Sequence, residues 1–150
     1  HGHAWSSEVM ETMDAAEKAA REGGRDAAIE VLLDRPVFAS AKDDPEALAV
    51  LREQLQRNYS IETNHVRALR PLAVGRLSEL RMPVLVLTGG DPGADARAIA
   101  ERLVGDAARA RRETVEGAGH MMNLERPREF NRAVERFLDA CPLRPQASEE

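Results

Sequence analysis

Through residue 70 the apolar positions recur only at helical spacing. Val9, Met10, Met13, Ala16 and Ala20 fall on one stripe, predicting a helix that runs to Arg21 with Ser6 or Ser7 as its N-cap. Gly23-Gly24 ends it, because glycine supplies the left-handed backbone that closes many helices. A second helix is predicted over 26–33 and stops ahead of Pro36, since the residue before a proline is pushed out of the α region. Asp44-Pro45 pairs a capping side chain with a proline at the first helical position. Leu48, Leu51 and Leu55 then line one face of a third helix, and further short helices are expected over 61–69. No stretch of this half alternates as a strand would.

The texture changes at Leu80. Met82-Pro83-Val84-Leu85-Val86-Leu87-Thr88 is a short continuous apolar run, the pattern of a strand buried on both faces of a parallel sheet. Gly89-Gly90-Asp91-Pro92-Gly93 closes it as a loop. A helix over 94–104 presents Ile99 and Leu103 on one face, and 111–115 forms a second strand. Pro127 opens a last helix with Phe130, Val134, Phe137 and Leu138 inward. From Cys141 two prolines and two terminal glutamates predict a loose tail.

Composition narrows the class. The 150 residues suit one domain, and 43% apolar content with only 3% aromatic leaves the packing to aliphatic side chains and alanine. A net charge of −5 argues against nucleic acid or an anionic membrane as partner. The single cysteine, Cys141, cannot pair internally, which fits a reducing, cytoplasmic setting. No apolar run is long enough to span a bilayer, and the first residues lack the apolar core of a signal peptide.

The strongest chemical signal is Gly117-Ala118-Gly119-His120-Met121-Met122-Asn123-Leu124-Glu125-Arg126-Pro127. A strand runs into a glycine-rich turn that presents one histidine, and a proline-started helix follows. Glycine admits backbone conformations closed to other residues, so the imidazole can stand at the tip of a strand. Histidine is the side chain best suited to move protons near neutral pH. The plainer reading is a turn histidine that caps the final helix.

This segment resembles the last catalytic element of the α/β-hydrolase family, the GxGH…ExP turn. The run from Arg81 through Gly89 resembles a late strand of the same core. The resemblance implies an α/β fold, the C-terminal part of an α/β hydrolase: a helical cap (1–70), strand–helix–strand–helix from the core (71–140) and a flexible tail (141–150). It implies that His120 is the general base of a catalytic triad and that an acid after a late strand orients it. The family's Gly-x-x-Asp spacing, counted from Gly89, falls on Pro92. Asp91 sits one place early and is the favoured partner, Asp95 lies three residues beyond Pro92, and an acid outside the chain is the third option.

The nucleophile has no counterpart. Gly2-His3-Ala4-Trp5-Ser6 resembles the Gly-x-Ser-x-Gly elbow only superficially, with alanine where the serine belongs, and no strand precedes it. The nucleophile and oxyanion hole are therefore expected in sequence absent from this chain. An N-terminal half of the fold, or a second chain, would then complete the sheet. The expected activity is esterase-like hydrolysis of a small ester, lactone or related bond, with no cofactor and no metal, and none from this fragment alone. The alternative is a non-catalytic binding or interaction subunit on the same scaffold.

Weaker signals point elsewhere. His1-Gly2-His3 suits Cu(II) or Ni(II) if the amine of His1 is free, and otherwise reads as loop. His65 is a lone helical histidine. Trp5, Met10 and Met13 fit helix packing, or the apolar wall of a substrate pocket. No lysine follows the glycine-rich loop at 89–93, so it lacks the marks of a phosphate cradle. Arg109, Arg111, Arg112 and Glu113 read as a solvated strand edge.

Overall fold

The computed structural model describes residues 4–58 and 72–141. The helices expected over 61–69, His65, the His1-Gly2-His3 segment and most of the tail lie outside the described residues.

Helix α1 (Ser7–Leu33) starts at Ser6, whose Oγ accepts the Val9 N–H at 3.4 Å. It is two helices joined at a kink: Gly24 takes φ 79° and ψ −171°, a conformation that no β-carbon-bearing residue adopts cheaply. The predicted break at Gly23-Gly24 is thus present as a bend rather than a loop. A 3₁₀ turn (Pro36–Phe38), the single-turn helix α2 (Ala39–Lys42) and helix α3 (Pro45–Asn58) follow. Asp44 Oδ1 accepts the N–H groups of Glu46 at 3.0 Å and Ala47 at 3.1 Å, the cap that the Asp-Pro pair predicts. The Arg52 guanidinium grips both carboxylate oxygens of Glu30, tying α3 to the second segment of α1.

Two apolar clusters hold these helices together. One centres on Ala16, Ala20, Ala28 and Leu32. The other joins Ile29, Leu33, Ala41 and Leu51, with Phe38, Leu48 and Leu55 packed against it. The stripe predicted for the start of α1 is only half realised. Ala16 and Ala20 are buried, but Met10 and Met13 are 49% and 37% exposed, and Trp5 just ahead of the helix is 45% exposed.

Beyond a 3₁₀ segment (Ala73–Glu79) come strand β1 (Val84–Gly89), helix α4 (Gly93–Asp106), strand β2 (Ala110–Val115), the short helix α5 (Met122–Glu125) and helix α6 (Pro127–Asp139). The strands pair in parallel, from Val84 opposite Ala110 to Gly89 opposite Val115. A helical crossover such as α4 is what parallel neighbours require. Among the described residues the sheet has these two strands and no other. The expected order of strand, helix, strand, helix is therefore present, each boundary within two residues of its predicted place.

Helix α6 packs on β2. The Arg111 guanidinium sits 5.3 Å from the centre of the Phe137 ring, and Arg136 pairs with Glu113. The charged run on β2 is thus partly engaged by α6 rather than a bare solvated edge. Ala133 is the buried residue of α6, while Leu138, expected inward, is 59% exposed.

Candidate active site

Three glycines shape the turn after β2. Gly117 has φ +68° and reverses the chain. Gly119 lies against Ser40 of α2, where any β-carbon would collide with the serine hydroxyl. Gly89, the last residue of β1, abuts the carbonyls of Ala118 and Gly119. The Gly90 N–H then donates to the Ala118 carbonyl at 2.9 Å, so the loop leaving β1 is laced to the turn leaving β2. Glycine spacing around the histidine therefore records close backbone approach on two sides and a left-handed φ at one point.

Glu125 fixes the turn from within. Its carboxylate accepts the Gly119 N–H at 2.6 Å and the Met121 N–H at 3.1 Å, the two amides that flank His120. Carboxylate acceptors make backbone hydrogen bonds stronger than neutral ones. Sequence reasoning used this glutamate as part of a motif and gave it no role. The spacing of six residues from Gly119 to Glu125, across one turn of helix, was the available signal. Met121 and Leu124 also pack into the cluster around Ile29 and Leu51, seating the turn in the helical half.

His120 is exposed, with its imidazole edge-on to the Phe38 ring, centroids 5.9 Å apart and planes at 68°. Its pKa is pushed below the ordinary histidine value. Loss of water on the packed side of the ring is the largest cause and the positive charge of Arg35 the next, while Glu125 pulls the other way. A neutral imidazole near pH 7 is the form that can accept a proton.

The acids are placed differently from one another. Asp91 lies in the loop laced to the histidine turn, but its side chain is 91% exposed and pairs with Arg97 at 3.6 Å. No hydrogen bond or ion pair joins it to His120. The short Gly90–Pro92 link delivers it at the mouth of α4, where Arg97 is the nearest opposite charge. Asp95, in the first turn of α4, takes the Ser6 N–H at 3.2 Å and the Ser6 Oγ–H at 2.5 Å. That pair ties the start of α1 to the start of α4. It also occupies the hydroxyl of Ser6 in structure rather than chemistry.

An open groove of about 450 Å³ lies beside the turn, between Ser40–Pro45 and Gly117, Glu125 and Arg126, and His120 does not line it. Among the described residues no group of three or more His, Cys, Asp or Glu side chains could hold a metal ion. None of the described helices is long and apolar enough to cross a membrane.

A model of the alpha/beta hydrolase family matches residues 2–133. The chain belongs to the alpha/beta hydrolase family. It is similar to the polyketide synthase ThaQ of Burkholderia thailandensis, 38% identical over 112 residues that make up 71% of this chain and 5% of the synthase. Its fold is similar to that of MenH from S. aureus, with a TM-score of 0.69 and 21% identity over 89% of this chain and 53% of MenH. The chain thus spans a small part of the first protein and about half of the second.

Proposed function

We propose that this chain is the C-terminal portion of an α/β hydrolase acting on a small ester, lactone or related bond. In this reading residues 1–70 are its cap, and the nucleophile lies in sequence outside these residues. The observation that carries the reading is the turn around His120. Two glycine contacts and a doubly accepting glutamate hold one largely neutral imidazole at the tip of β2. His120 takes the proton of the nucleophile and returns it to the leaving group. Asp91, in the adjoining loop, orients the imidazole by exchanging its Arg97 contact for the ring; catalytic hydrogen bonds of this kind commonly form only in the loaded site. The free thiol of Cys141 suits the cytoplasm.

The test unites this chain with a nucleophile-bearing N-terminal half and follows a p-nitrophenyl ester. His120→Ala lowers kcat on the order of 10^4-fold, and Asp91→Asn lowers it less while shifting the pH profile. Turnover indifferent to His120→Ala removes the base assignment. The side chain of Asp91 facing Arg97 favours one other reading, a non-catalytic binding subunit of the same fold. That reading predicts no turnover from the united protein at all.

A further inference from the structure

We propose that Phe38 is a positioning residue for His120, its ring holding the imidazole in one rotamer before any carboxylate engages it. The proposal goes beyond the hydrolase reading and rests on it only for the imidazole's being the base.

The main chain and the side chain of His120 are held by different partners. Glu125 takes the amides on either side and so fixes the backbone. It leaves both side-chain torsions open, and an exposed histidine can visit every staggered well. Among the described residues the imidazole makes no hydrogen bond or ion pair, and Asp91 is turned to Arg97. The side chain that meets the imidazole is Phe38, with centroids 5.9 Å apart and planes at 68°. In such an edge-to-face pair the positive edge of one ring meets the negative face of the other. Rotation of the imidazole about its first torsion breaks that contact, so the pair favours one well over the rest.

Phe38 can hold a neighbour because it is itself held. Pro36 opens its 3₁₀ turn with a fixed φ, and the Phe38 N–H donates to the Arg35 carbonyl at 3.0 Å. Its half-buried side chain packs against the cluster of Ile29, Leu33, Ala41 and Leu51. Two residues further on, Ser40 abuts Gly119. One short stretch of the helical half therefore meets both the backbone just before the histidine and the histidine ring.

The test separates the ring from the volume it fills. Phe38→Leu keeps an apolar side chain in the cluster and removes the aromatic edge, and Phe38→Tyr restores the ring. In the isotope-labelled chain, NMR should show through-space contacts between the Phe38 and His120 rings and the χ1 couplings of a single histidine rotamer. Phe38→Leu should lower the population ratio of that rotamer by about two- to tenfold, the worth of one aromatic pair, and average the couplings. Phe38→Tyr should return them to the parent values. In the united protein, turnover of a p-nitrophenyl ester should fall in kcat by the same factor in Phe38→Leu, with KM unchanged. Averaged couplings in the parent chain, couplings in Phe38→Leu equal to those of the parent, or a loss confined to KM overturns the proposal. The parent couplings need no variant, so that arm stands even where a substitution folds poorly. A united protein indifferent to His120→Ala would remove the base assignment and leave the ring couplings as they are, so the two assignments fail separately.

Discussion

A methyl group on Gly89 would stand 2.5 Å from the carbonyl oxygen of Ala118 and closer still to that of Gly119. The obstruction is backbone, which cannot swing aside as a side chain would. Gly89→Ala must therefore separate the end of β1 from the histidine turn. We expect a loss of about 2–3 kcal/mol in urea unfolding, the upper range for overpacking a tight site. Gly90→Ala is the control, since an added carbon there meets nothing nearer than 3.8 Å. Equal stability of the two variants would show that the contact does not constrain the turn.

Glu125 is half-buried and holds the turn through its charge. Glu125→Gln keeps the shape and one acceptor oxygen but loses the charge. It should cost about 1–2 kcal/mol, with Glu125→Ala costing more. Amide exchange locates the damage: the Gly119 and Met121 N–H groups, protected in the parent, should exchange faster in both variants.

The titration of His120 carries a sign for each neighbour. Its folded pKa lies below the ordinary histidine value of about 6.5, so the unfolded chain binds more protons between the two. This contribution to stability is fully present above about pH 6.5 and is lost as pH falls through the lower folded value. His120→Gln should remove that part of the pH dependence of unfolding. Imidazole NMR should place the pKa higher in Arg35→Gln, which removes a cation, and lower in Glu125→Gln, which removes the opposing anion. Movement of either variant in the other direction would contradict the charge arrangement around the ring.

Ser6 joins two elements far apart in sequence. Its Oγ caps α1 and donates to Asp95, and its N–H reaches the same carboxylate. Ser6→Ala removes both hydroxyl bonds and should cost about 1–2 kcal/mol by thermal unfolding. Ser7→Ala, one residue on, should be near neutral.

Local signals were the legible ones. The Ser6 cap, the Gly23-Gly24 break, the Asp44-Pro45 start, the apolar run of β1 and the turn around His120 each depend on a few neighbouring residues, and all appear near their predicted places. What sequence could not supply depends on chain brought together from a distance. Arg35 and Phe38 reach His120 from 85 and 82 positions away (120 − 35 and 120 − 38), and no periodicity encodes that meeting. Asp91 illustrates a different limit. Its position beside the histidine turn follows from the strand order, but the direction of its carboxylate is set by Arg97, one turn into α4. Met10, Met13 and Leu138 show a third: an apolar stripe marks a face that can be covered, not one that the described residues cover.

Met121 and Leu124, both just after His120 in the chain, are anchored among Ile29, Leu33 and Leu51 of the helical half. The imidazole is consequently mounted on the helices as much as on the sheet. Any swing of those helices must tug on the ring itself, so helix motion and imidazole position are geared to a single shaft.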